Sequence, residues 1–285
     1  PTRGNPLGAI EEGLSILREK TGGDVRLLAV GSTVSGRHLA ARFLGADAVK
    51  NEITAQLKST VACFPDADTI FEIGGQDSKY VSLKNGAMAD FAMNKICAAG
   101  TGSFLEEQAG CLGLNIIGEF EERALAAAQP ADMGSRCTVF MDTELVHALQ
   151  RGTPVEDIAA GLAYSIASNY LEKVVGHMPV GRRVVFQGGV ASNRAVVAAF
   201  SALLGREVRV HPYNRLSGAI GAAMVAAEDY VRASFATEFV GFNGRKDYAL
   251  SSFECRHCSN VCQVNRMERG GRIAFFGDVC ERYTS

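Results

Sequence analysis

Apolar residues recur at Leu7, Ile10, Leu14 and Leu17. That 3-4-3 spacing predicts an amphipathic helix over residues 6–20. The run Val25–Val30 (VRLLAV) has no such period. It is short, apolar apart from Arg26, and ends in Gly31-Ser32, which predicts a buried parallel strand. Helical patterns follow around Arg37–Leu44 and Ile53–Cys63, so the chain opens as ordinary α/β alternation. At Thr69–Ile73 (TIFEI) the period becomes that of a strand, interrupted by Gly74-Gly75-Gln76-Asp77-Ser78 and resumed at Lys79–Leu83. Asn85-Gly86 is a strong hairpin signal, and Met88–Met93 reads as the next strand, so an antiparallel meander is predicted here.

Helical spacing then dominates at Phe104–Leu112, Ile117–Ala128 and Thr143–Gln150. A longer helix is predicted from Val155 to Val175, with Thr153-Pro154-x-Glu156 as its start signal. Strand and helix alternate again through Arg183–Gln187, Ser192–Leu204, Glu207–Val210 and Leu216–Ala236. After Phe239 the chain turns to short polar and glycine-rich stretches. The predicted division is therefore an α/β domain over residues 1–239 and a small cysteine-rich module over 240–285.

Composition narrows the classes. With 285 residues, 47% hydrophobic and 21% charged, the chain can bury a substantial core and is not disordered. The 29 basic and 31 acidic residues nearly cancel, which removes any whole-chain case for binding nucleic acid or a membrane surface. No apolar run approaches the roughly 18–20 residues of a bilayer helix, and no signal segment opens the chain; a soluble, cytoplasmic protein is expected. The first residue is proline, which suggests a piece cut from a longer chain. Composition leaves 31 glycines and 8 cysteines to be accounted for.

Four segments carry candidate chemistry. In FEIGGQDSKY (71–80), a strand–Gly-Gly–strand turn lets backbone N–H groups approach a phosphate without Cβ interference. Glu72 would flank it as a carboxylate able to orient a hydrated magnesium ion, with Gln76 and Asp77 adding polar reach; a plain glycine hairpin loop is the alternative. In VVFQGGVASNRAV (184–196), a strand ends in Gly188-Gly189 and a helix starts near Ser192, so a helix N-terminus faces whatever approaches the glycines, unless the turn serves only close packing. Cys97 and Cys137 each stand just ahead of a helical run, whose positive end favours a thiolate. Two buried thiols are the alternative there. Cys255, Cys258, Cys262 and Cys280 follow C-x2-C-x3-C-x17-C, a tetrathiolate metal pattern whose spacing does not separate zinc from an iron–sulfur cluster. Cys63 and Cys111 are expected as small core residues, and His211 and His257 as structural or surface residues rather than ligands.

FEIGGQDSKY, NKICAAGTGSF, SRCTVFMDTELV, VVFQGGVASNRAV and NRLSGAIGAA (214–223) together resemble the activator, or activase, family of 2-hydroxyacyl-CoA dehydratases and the related benzoyl-CoA reductase ATPase subunits. The resemblance runs over roughly residues 26–228. It implies the actin/hexokinase/Hsp70-like nucleotide-binding fold and a homodimer bridged by one [4Fe–4S] cluster on Cys97 and Cys137 of both chains. It also implies ATP or ADP with magnesium, and electron delivery to a dehydratase or reductase component in an anaerobic metabolism. By position, Glu72, Gly74, Gly75, Gln76 and Asp77 match the second phosphate loop, with Glu72, Gln76 and Asp77 as the catalytic set. Gly188, Gly189 and Val190 match the adenosine loop, and Gly218 lies in the segment that closes beneath the nucleotide. Family members open with an acidic-x-Gly-Ser/Thr first phosphate loop. Here residues 1–20 read directly as a helix, so the resemblance implies an N-terminally truncated form; separately, Glu72 stands where the family commonly has aspartate, and its extra methylene would shift a magnesium-oriented water. The four-cysteine tail is similar to that of longer fused activases. A non-hydrolytic scaffold or dimerisation unit of such a protein is the alternative reading.

Overall fold

Asn5 starts the first helix, α1 (Pro6–Thr21): its Oδ1 accepts the Gly8 N–H at 3.0 Å, and Gly22 ends the helix in the left-handed conformation at φ 70°. Strand β1 (Gly31–Ser32), helix α2 (Arg37–Leu44), strand β2 (Ala48–Val49) and helix α3 (Glu52–Cys63) follow. β1 pairs in parallel with β2 over two residues each. The apolar run ahead of β1 is not the buried strand expected from its composition. Val25 and Leu28 are 42% and 47% exposed, because ladder pairing begins only at Gly31. An apolar segment is buried as a strand only where neighbours cover both its faces, and a two-residue partner covers neither.

The predicted meander forms as β3 (Thr69–Ile73), β4 (Ser78–Lys84) and β5 (Ala87–Met93). Asn85 and Gly86 turn its second hairpin with positive φ at both residues, 54° and 73°, the geometry that matches strand twist. Helices α4 (Gly102–Cys111), α5 (Glu119–Leu125), α6 (Thr138–Gln150) and α7 (Val155–Tyr170) follow, and α7 runs on into a π-helical turn at Leu171–Val175. β6 (Val184–Gln187), a 3-10 turn at Gly189–Ser192, α8 (Arg194–Leu204) and β7 (Val208–Val210) complete the α/β pattern. The sheet order is β5-β4-β3-β6-β7, antiparallel through β3 and parallel from β3 to β7. One sheet face is sealed by a ring cluster: Phe71 lies 5.0 Å from Tyr170 and 5.3 Å from Phe200, and Phe186 lies 5.2 Å from Phe200.

Helix α9 (Ser217–Ala233) packs against α3 so closely that a Cβ on Gly221 would fall 1.7 Å from the Ala55 carbonyl oxygen. The last strands, β8 (Tyr248–Glu254), β9 (Gln263–Arg269) and β10 (Arg272–Phe276), form an antiparallel sheet in the order β10-β9-β8. Met267 of this sheet shares a small core with Leu7, Leu39 and Phe43, and Tyr248 meets Phe43 edge-on at 5.4 Å. Residues of the 240–285 region thus pack with α1 and α2. By contact the chain divides into one unit of residues 60–217 and another of residues 1–59 with 218–285. This computed structural model describes residues 5–23, 25–94, 100–135, 138–242, 248–269, 271–280 and 282–283. Among them, no helix is long and apolar enough to cross a membrane.

Candidate functional site

The two glycine turns predicted separately lie side by side. β3 and β6 are parallel neighbours with Glu72 opposite Gln187, so Gly74-Gly75 and Gly188-Gly189 leave the same end of the sheet, the carboxyl end where open α/β sheets bind ligands. Gly188 adopts φ 90° and ψ 175°, and a Cβ there would stand 2.3 Å from the Ile73 carbonyl oxygen. Only glycine lets the second turn pass this close to β3. Asn214 fastens it: its carbonyl accepts the Gly188 N–H at 2.9 Å, and its Nδ2 donates to Gly188 O and Ser192 Oγ, both at 2.8 Å. Gly75 and Gly189, by contrast, face open space where a side chain would be. They line a cavity of about 360 Å³ together with Gly74, Gly102, Ile116 and Val190. Arg215 brings a cation to its wall, and Asn193 caps α8 by accepting the Ala195 and Val196 N–H groups at 3.0 and 3.2 Å. The first N–H groups of α8 are already taken, Arg194 by Glu121 at 2.7 Å and Ala195 and Val196 by Asn193, so it is the glycine backbone, Arg215 and the apolar walls that suit a ligand with an anionic end and a flat apolar end.

The first turn is also tied to α4. The Gly102 N–H donates to Gly74 O at 2.8 Å and the Ser103 N–H to Gly75 O at 2.7 Å; the Ser103 hydroxyl donates to the same Gly75 oxygen. A Cβ on Gly102 would stand 2.9 Å from Gly74 O and 3.1 Å from Val190, so the approach requires glycine. Farther along α4, Gln108 Nε2 donates to Asp142 Oδ1 of α6 at 2.7 Å. Turn, α4 and α6 therefore form one hydrogen-bonded chain.

Glu72 and Asp77 both converge on Lys79, a residue that the motif does not single out. Its Nζ lies 3.1 Å from Glu72 Oε2 and 3.0 Å from Asp77 Oδ2, and the Lys79 and Glu72 side chains are 3% and 6% exposed. The signal was present: Lys79 is directly opposite Glu72 in the β3/β4 register, and cross-strand partners share a face. The carboxylate offered by the motif to a hydrated magnesium ion is thus engaged by an ammonium group. Tyr170 O–H donates to the Lys79 carbonyl at 2.7 Å; burial and then the Glu72 charge hold this phenol well above its usual range, so it stays a donor. Gln76 is exposed at the rim of the turn. Val190 joins Gly189 at the cavity. Gly218 belongs to the other unit, where a Cβ would make only ordinary contact with Thr33 and Gln56.

Cys97 and Cys137 lie outside the described residues, but the helices expected after them are present as α4 and α6. In the tail, Cys255 and Cys262 are buried with Val264, and the Cys255 N–H donates to Cys262 O at 2.8 Å; Cys258 and Cys280 are exposed. Among the described residues no group of three or more His, Cys, Asp or Glu is placed to hold a metal ion, so the four tail cysteines are not brought together as a ligand set. Phe253 and Phe275 pack on Tyr283 at 5.4 and 5.6 Å beside the buried pair. Cys63 and Cys111 are exposed, not core: each is the last residue of its helix, where the covering neighbours end. His211 is structural, fully buried, its Nδ1 accepting the Tyr213 N–H at 3.0 Å.

The chain is similar to the (R)-2-hydroxyglutaryl-CoA dehydratase activating ATPase of Acidaminococcus fermentans, 35% identical over 181 residues, 64% of this chain and 69% of that protein. It is 38% identical to the activator of lactoyl-CoA dehydratase of Anaerotignum propionicum over 189 residues, 65% of this chain and 71% of that protein. The solved activator of the 2-hydroxyisocaproyl-CoA dehydratase from Clostridium difficile, with bound ADPNP, superposes with a TM-score of 0.71 at 32% identity, covering 78% of this chain and 81% of that one. The architecture is accordingly the actin/hexokinase-like nucleotide-binding fold. A family model matches residues 3–226, and the chain belongs to the BadF/BadG/BcrA/BcrD ATPase family.

Proposed function

We propose that this chain is an ATP-dependent electron-transfer activator that delivers a low-potential electron to a 2-hydroxyacyl-CoA dehydratase or benzoyl-CoA reductase-type component. The supporting observation is the hydrogen-bonded path from the glycine turn to α4: Gly74 and Gly75 present their carbonyls to the first N–H groups of the helix that follows Cys97. The cavity fits a nucleotide. Gly75 and Gly189 leave space for phosphates, and Ile116 and Val190 supply apolar surface for a base. Cys97 and Cys137 of two copies would hold the [4Fe–4S] cluster, which supplies reversible one-electron transfer. Any movement of Gly74-Gly75 on exchange of ATP for ADP pulls on Gly102 and Ser103, and α4 passes it to α6 through Gln108 and Asp142. Both helices that follow the cysteines are in that chain. Lys79 holds Glu72 and Asp77 in fixed positions beneath the turn, so the phosphate side starts from a rigid base.

Two measurements test this. Anaerobic purification and reconstitution should give a brown protein with a broad charge-transfer band, lost in Cys97→Ala and in Cys137→Ala; a colourless wild-type protein under those conditions refutes the cluster. Calorimetric titration with ATP and magnesium, followed by a phosphate-release assay, should show binding and turnover. Binding without release would favour the non-hydrolytic scaffold.

A further inference from the structure

Gln187 is the last residue of β6, immediately ahead of Gly188-Gly189. Its side chain is fully buried, and its amide is half satisfied: Oε1 accepts the Thr60 hydroxyl at 2.8 Å, while Nε2 is buried with no hydrogen-bond partner. A buried amide N–H2 left unmatched costs stability, and such groups in native proteins are kept where a ligand or water completes them. The sheet register says where this one stands. Lys79 is opposite Glu72 in β4/β3, and Glu72 is opposite Gln187 in β3/β6, so the three polar side chains form a single buried row. Strand alternation puts this row on the face away from Phe71 and Phe186, whose rings fill the aromatic core with Phe200. The row lies just before both glycine turns, at the carboxyl end of the two central strands. Two of its members satisfy each other, Lys79 on Glu72; the third keeps a donor in reserve.

We propose that Gln187 Nε2 is a phosphate-recognition donor. It donates to a nucleotide phosphate oxygen, directly or through one water, while Thr60 holds the amide in the orientation that presents Nε2. A donor, unlike the carboxylates beside it, is matched by an anionic oxygen. This rests on the nucleotide-site reading above and adds to it a residue from outside the glycine turns. No bond is made or broken by the amide; its role is binding.

The experiment is calorimetric titration of ATP with magnesium into the wild-type chain, Gln187→Leu and Gln187→Met, with thermal unfolding of each ligand-free protein. A charge-assisted hydrogen bond contributes about 1.5–3 kcal/mol, so ATP affinity should fall about 10- to 150-fold in both variants. Both replacements fill a similar volume and remove the unmatched Nε2, but they also take the acceptor from the buried Thr60 hydroxyl; each is therefore made together with Thr60→Val, and in that background the ligand-free melting temperature should hold or rise. A structural amide would behave otherwise: melting temperature would drop with ATP affinity unchanged or reduced in step, and that overturns the proposal. Variants that bind ATP within twofold of wild type also overturn it, and alone. A wild-type chain that binds no ATP overturns this proposal and the nucleotide-site reading together.

Discussion

Gly188→Ala is expected to lower the stability of the 60–217 unit by about 2–6 kcal/mol. Two costs add. At φ 90° and ψ 175° the residue occupies a region almost reserved for glycine, worth about 1–3 kcal/mol to any side chain. The new methyl would also stand 2.3 Å from the Ile73 carbonyl oxygen, a backbone atom held in the sheet, and such overpacking costs a further 1–3 kcal/mol or so. Against a domain stability of about 5–15 kcal/mol this is a large loss. Gly189→Ala is the control. Its methyl points into open space, so urea denaturation should match wild type within about 0.5 kcal/mol while ATP binding weakens through lost room. Denaturation midpoints that coincide for wild type and Gly188→Ala would show that the second turn does not need its close approach to β3.

The contrast between these two glycines marks what was legible in the sequence. Gly-Gly after an apolar strand announces a tight turn, and both such turns were placed correctly because the signal is local. So was the hairpin at Asn85-Gly86, where adjacent residues supply the required positive φ. What sequence could not rank was Gly188 against Gly189: one is fixed by a carbonyl on another strand, the other by what binds. Asn214 is a similar case, lying 26 residues from the carbonyl it holds. Val25–Val30 failed for the opposite reason. Its composition suits a buried strand, but burial depends on partners, and pairing starts only at Gly31. The apolar sequence around Cys63 and Cys111 suggests burial, whereas exposure at a helix terminus is decided by what packs beyond it.

Lys79→Met is the other substitution with a large expected effect, and its result depends on what accompanies it. Alone, it leaves the Glu72 carboxylate, 6% exposed, without the ammonium 3.1 Å away. Breaking a buried pair from one side costs about 3–5 kcal/mol, because the remaining charge keeps its desolvation penalty and loses its compensation. Asp77, 45% exposed, adds little to that figure, since water screens its contact with Lys79. Removing the pair together, as Lys79→Met with Glu72→Leu, should restore most of the loss. Well-packed apolar replacements of buried ion pairs are often neutral or better. Denaturation of the wild type, both single variants and the double therefore forms a cycle whose coupling should be strongly favourable to the pair. Additive single effects would mean that Lys79 and Glu72 act separately, contrary to the geometry. The double variant also separates fold from function. A protein that regains wild-type stability yet binds ATP poorly would place the buried ion pair in service of the phosphate turn, with Lys79 as the anchor that keeps Glu72 and Asp77 beneath Gly74-Gly75.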